Sequence, residues 1–156
     1  DVALELAQKW IGKTTETDWV VKHACRTLLK KGNQKAMRLF GFGAVEDVKI
    51  SDLAVKYEEV KIGEGQEFSF KLKHSAAKTI KLRLEFGVYY MKSNGKQNRK
   101  VFQLSEKEYE TNTVFEFTKK QHFKNLTTRK HYAGAHKIAI IVNGVEKSII
   151  EFEVIK

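Results

Sequence analysis

The side chains best suited to chemistry lie in one run: Lys119-Lys120-Gln121-His122-Phe123-Lys124-Asn125-Leu126-Thr127-Thr128-Arg129-Lys130-His131-Tyr132-Ala133-Gly134-Ala135-His136-Lys137. It holds six Lys or Arg and three His, and no carboxylate occurs between Glu116 and Glu146. Cations without neighbouring anions repel one another unless a polyanion neutralises them. Lys119, Lys120, Lys124, Arg129 and Lys130 suit phosphate oxygens, the hydroxyls of Thr127 and Thr128 can donate to them, and His131 can join the set. The same run also reads as a solvated basic loop. A second cluster, Lys92, Lys96, Arg99 and Lys100, surrounds Ser93-Asn94-Gly95-Lys96. It serves equally as a hairpin reaching into a nucleic-acid groove or as a solubilising tip.

A third cationic row appears at helical spacing. Trp19, Lys22, His23, Arg26 and Lys30 fall on one face, opposite the apolar stripe Val20, Val21, Ala24, Cys25, Leu28 and Leu29. Cations one turn apart on a helix repel by a few tenths of a kcal/mol per pair, which a phosphate track would relieve. An ordinary solvated face is the alternative, and Trp10 and Trp19 also suit core anchors. On the first reading, Trp19, Lys22, Arg26 and Lys30 together with the downstream run are the expected contacts to a polyphosphate.

Catalytic signals are weak. His131 and His136 are close in sequence, but no Cys, Asp or Glu lies near enough to complete a metal shell, so no metal and no other cofactor is expected. No nucleophile-elbow pattern occurs. Gly63 and Gly65 lie between strands and precede no helix, so they do not form a phosphate-cradling loop. Asp18 suits the positive end of a helix dipole better than a catalytic base.

The totals agree with a polyanionic partner. The chain has 156 residues and a net charge of +10, which favours nucleic acid before an anionic membrane surface. One thiol, Cys25, cannot form an internal disulfide. That fits a reducing cytoplasm, and no apolar run is long enough to span a bilayer. The chain starts at Asp1 inside a helix-like pattern, so a preceding segment is expected.

The elements fall into two parts. Residues 1–43 read as helix, the terminal part of a helical array. Thr17 suits an N-cap, a helix runs from about Asp18 to Lys31, and Gly32 suits its stop. Asn33 caps a short helix to about Phe40. Residues 44–156 change to a period of two. Strand signals occur at Val48 to Val55, Phe68 to Leu72, Ile80 to Val88, Val101 to Leu104, Val114 to Phe117, Ile138 to Val142 and Ile149 to Val154. Asn94-Gly95 and Asn143-Gly144 mark hairpins. About seven one-sided strands predict a mainly β fold, an antiparallel immunoglobulin-like sandwich, with a barrel as runner-up. Short helices cannot bury their stripes alone, so they pack on the sandwich or continue a stack of repeats.

Four segments resemble bacterial DNA alkylation-repair proteins built from HEAT-like repeats. They are Trp19 to Gly32, Tyr89 to Lys96, Lys100 to Leu104, and Thr127 to His136. The similarity is to the branch with a C-terminal immunoglobulin-like domain, the AlkC-like alkylpurine DNA glycosylases. Ala133 departs from that pattern, where Pro typically precedes the glycine. The resemblance implies duplex DNA as partner and hydrolysis of the N-glycosidic bond of cationic alkylated bases. It implies catalytic residues upstream of this chain, so the chain alone should be inactive. A non-enzymatic immunoglobulin-like module binding an acidic protein is the other function consistent with the charge.

Overall fold

The computed structural model describes residues 26–125 and 130–156. Trp19, Lys22, Thr127, Thr128 and Arg129 lie outside the described residues. The element order is α1 (Arg26–Lys30), α2 (Gln34–Leu39), a 3-10 turn (Val45–Asp47), β1 (Val48–Val55), β2 (Glu59–Lys61), β3 (Gly65–His74), β4 (Ile80–Met91), β5 (Gln97–Tyr109), β6 (Phe115–His122), β7 (Gly134–Val142) and β8 (Val145–Ile155). One sheet has the order β1-β3-β6 and the other β2-β8-β7-β4-β5.

The period-two pattern decides how the sheets meet. Along β3, Gln66, Phe68, Phe70, Leu72 and His74 are buried, and their neighbours face outward. Along β4, Leu82, Leu84, Phe86, Val88 and Tyr90 point to the same interior. Two half-apolar sheets must cover each other, and they do so as a sandwich. The Phe68 and Phe86 ring centroids, 5.0 Å apart, bridge the layers. Phe70 stacks on Phe117 at 4.9 Å, and Phe86 on Phe102 at 5.1 Å.

Among the described residues the strand count is eight rather than about seven. The additional strand, β2, has three residues, too short to show alternation, and it pairs parallel to β8 through Glu59 to Lys61. Its existence depends on β8 supplying an edge.

Both helix boundaries follow local chemistry. Gly32 takes φ +73 after α1, a conformation glycine adopts without a Cβ penalty. The side chain of Asn33 accepts from the Ala36 N–H at 3.0 Å. Ala36, Met37 and Phe42 form a small separate core. Among the described residues these two short helices do not make up a HEAT-like repeat.

Candidate nucleic-acid interface

Hydrogen bonds gather three connections at one end of the sandwich. The Gly63 N–H donates to Phe123 O and the Phe123 N–H to Glu64 O, each at 2.8 Å. The Ile62 N–H donates to Ile155 O at 2.9 Å, which joins this point to the end of β8. Gly134, opening β7, packs against Met91, where β4 turns into the Asn-Gly hairpin. The turn before β3, the hairpin 92–96 and the connection after β6 therefore share this hairpin end. The β7–β8 turn and the helices occupy the opposite end.

A cluster of rings anchors the connection after β6. Phe123 is buried against Tyr90, His131, His136 and Phe152, with centroids 5.3 to 6.0 Å away. The Gln121 side-chain amide donates to the Tyr90 hydroxyl at 3.0 Å. The His131 N–H donates to the Asn125 side chain at 2.7 Å, a bond between residues six apart in sequence. His136 is held as a neutral ring. One nitrogen, Nδ1, donates to Gly134 O at 3.0 Å, and Nε2 accepts from the Met91 N–H at 3.4 Å. Burial lowers its pKa.

His131 requires a correction. The basic run implies a surface position among the phosphate contacts, but its side chain is 4% exposed and packs on Tyr90 and Phe123. A ring surrounded by rings contributes to the core and does not face a solvated phosphate.

The remaining expected contacts separate into two places. Lys120 and Lys124 line a cleft of about 550 Å³ at the hairpin end, with His122, Tyr57, Glu59, Gly63, Glu64 and Gly65. Lys119 is exposed one residue away, and Lys130 is exposed beside Tyr132. Lys30 is elsewhere. With Lys31, Arg83, Glu85, Arg99, Val101, Ile141 and Gly144 it lines a groove of about 300 Å³ between α1 and the outer face of the five-stranded sheet. Arg26 is exposed at the start of α1. The structure thus unites Lys120 with Lys124 but places Lys30 in a different groove.

Ion pairing sorts the cations further. On the three-stranded outer face, Lys56 pairs with Glu67, and Lys71 with Asp52 and Glu116. On the five-stranded outer face, Arg83 pairs with Glu85, Arg99 with Glu146, and Lys137 with Glu151. Among the described residues, Lys92, Lys96, Lys100, Lys119, Lys120, Lys124 and Lys130 have no such pair. Lys49, Lys73, Lys81, Lys107 and Lys147 on the strands also lack an ion pair among the described residues, so the hairpin end differs in gathering its unpaired lysines at one end of the sandwich. Glu59 and Glu64 enter the cleft from β2 and the turn after it, so acid lies on the β2 side and base on the β6 side.

Sequence reasoning missed Asn125, whose side chain accepts from the His131 N–H. An Asn opening a polar connection was the available signal. No group of three His, Cys, Asp or Glu suited to a metal occurs among the described residues.

Comparison with known proteins follows this geometry. A solved structure of Pseudomonas fluorescens alkylpurine DNA glycosylase AlkC, bound to DNA containing an abasic site analog, is similar over 98% of this chain, with TM-score 0.83 and 35% identity. A β-glucosidase from Listeria innocua matches at TM-score 0.54 and 15% identity, a likeness of fold alone. The Bacillus subtilis protein YhaZ is 40% identical over 150 residues. The chain spans 42% of the length of YhaZ and 43% of that of AlkC. Residues 49–156 match the family model described as "Uncharacterised protein YhaZ, C-terminal Ig-like domain". The chain therefore belongs to the YhaZ C-terminal Ig-like domain family.

Proposed function

We propose that this chain is the DNA-binding C-terminal part of a cytoplasmic DNA alkylation-repair glycosylase. Residues 1–43 close its HEAT-like helical array and residues 44–156 form the sandwich. The catalytic groups for excising cationic alkylated bases lie upstream.

The observation that carries this reading is the gathering of unpaired cations at the hairpin end. Among the described residues, seven lysines without a carboxylate partner gather at or beside the hairpin end, more than on either sheet face, where Lys56, Lys71, Arg83, Arg99 and Lys137 are paired and Lys49, Lys73 and Lys147 are not. A phosphate backbone supplies the missing anions at a spacing that a row of lysines can follow. Thr127, Thr128 and Arg129 follow Lys124 closely in sequence, and their side-chain types suit hydrogen bonding to phosphate as well as charge. The similarity to a glycosylase solved on DNA supports duplex DNA over an acidic protein.

Duplex affinity measured across a salt series tests this. Affinity should fall steeply with salt. Replacing Lys120 and Lys124 with Ala should reduce the log–log slope by about 2, near 0.9 for each phosphate no longer neutralised. A slope unaltered by both substitutions, or binding indifferent to salt, overturns the reading.

A further inference from the structure

The helices and the sandwich meet at one buried side chain. Asn143, in the β7–β8 turn, is fully buried and takes φ +47. Its Oδ1 accepts from the Arg83 N–H at 2.8 Å, and its own N–H donates to Arg83 O at 2.9 Å, which holds the turn on β4. Its Nδ2 donates to Gly43 O at 2.8 Å, across to the segment that follows the helices. Its carbonyl accepts from the Gln34 side chain at 2.7 Å, and that amide also donates to Gly32 O at 2.9 Å. All of its polar groups are thus used, half toward the sheet and half toward the helical segment.

Two glycines make this contact possible. Gly32 ends α1 and Gly144 completes the turn, both at positive φ. A Cβ built on Gly32 would stand 2.6 Å from the Gly144 Cα, and one built on Gly144 would stand 2.5 Å from the Gly32 Cα. Backbone lies on backbone, with no flexible side chain to yield. The Gly43 N–H adds a bond to Lys81 O at 2.8 Å.

We infer that Asn143 is a positioning residue. It locks α1 and α2 to the sandwich, so that the Lys30 and Lys31 groove and the hairpin-end lysines act on one ligand as a single rigid surface. Arg99, which lines that groove and pairs with Glu146, is two residues from Gln97, the first residue of β5 after the basic hairpin 92–96, a separation of about 7 Å along the strand. Two cation sets held in fixed register engage a continuous polyphosphate as linked sites, and the second contact then forms at high effective concentration. The ligand in this inference rests on the DNA-binding reading above, whereas the lock itself does not.

The test uses the full 156-residue chain with Cys25→Ser and spin labels at Lys35→Cys on α2 and Glu106→Cys on β5, both exposed positions. The interspin distance distribution should be narrow. Asn143→Asp keeps an acceptor for the Arg83 N–H but loses the donor to Gly43, so it should broaden the distribution while the β7–β8 amide shifts persist. Gly32→Ala should broaden it by an independent route. On a short DNA duplex, the double change Lys30→Ala, Lys31→Ala should weaken binding roughly tenfold in the native background and less than about threefold with Asn143→Asp. A distribution that stays narrow in both variants overturns the lock. Broadening with the lysine effect still tenfold overturns the coupling. If the unaltered chain fails to retain DNA, the proposed function has failed, and the distance distribution alone decides the lock.

Discussion

Lys119 stands directly opposite Phe68 in the β3–β6 ladder, yet Phe68 is buried and Lys119 is exposed. Residues opposite each other in an antiparallel pair point to the same face, so Lys119 occupies a core-facing register. It escapes burial because β6 is the edge of its sheet. Lys100 repeats the arrangement on β5, the edge of the other sheet, opposite buried Val88. Core-facing lysines on edge strands oppose pairing with a second chain, because such pairing would bury the charge.

Replacing both Lys100 and Lys119 with Val should therefore promote self-association. Sedimentation velocity should show concentration-dependent dimers or larger species with the far-ultraviolet circular dichroism unaltered. A variant that remains monomeric would show that edge protection lies elsewhere.

Phe123 joins the end of β6 to the ring cluster and is fully buried. Phe123→Ala should lower unfolding stability by about 3–5 kcal/mol, the usual range for deleting a buried phenyl ring. Urea denaturation checks this. Hydrogen exchange of the Gly63 amide, which donates to Phe123 O, should accelerate in the same variant.

His136 predicts a pH dependence. Burial is the main cause of its lowered pKa, and Glu153 opposes the shift. The folded state therefore binds the proton less readily than the unfolded state, whose histidine titrates near about 6.5. Stability should be full above about 6.5 and fall as pH drops from there toward the folded pKa. The geometry agrees, since protonation would place a proton on Nε2, the atom that accepts from the Met91 N–H. Denaturation midpoints at about pH 7.5 and about pH 5.5, on either side of that value, measure the loss, and His136→Gln should reduce the difference.

The chain alone should bind duplex DNA and release no alkylated base. It spans 43% of the glycosylase it resembles, and the proposed catalytic groups lie upstream. Release of methylated base from treated DNA by the purified chain would place those groups within these residues instead.

The alternation of apolar and polar residues makes β3 and β4 legible, because every second side chain must leave the water. Asn33 and Gly32 mark helix ends through local chemistry, and Asn94-Gly95 marks its hairpin for the same reason. Strand β2 is not legible, since three residues show no period and their pairing depends on β8, far along the chain. His131 is misread from the string because a histidine in a basic run carries no sign of which rings will surround it.

The sequence by itself determined that this chain forms a one-sided, mainly β fold with excess positive charge, since periodicity and composition are properties of the string. Only the tertiary structure decided which cations keep their charge unpaired. Carboxylates brought near by the fold neutralise Lys71, Arg99 and Lys137 on the sheet faces. None reaches the lysines of the hairpin end among the described residues. Ion pairing acts over a few ångströms in space, and strand order, not sequence separation, sets those distances.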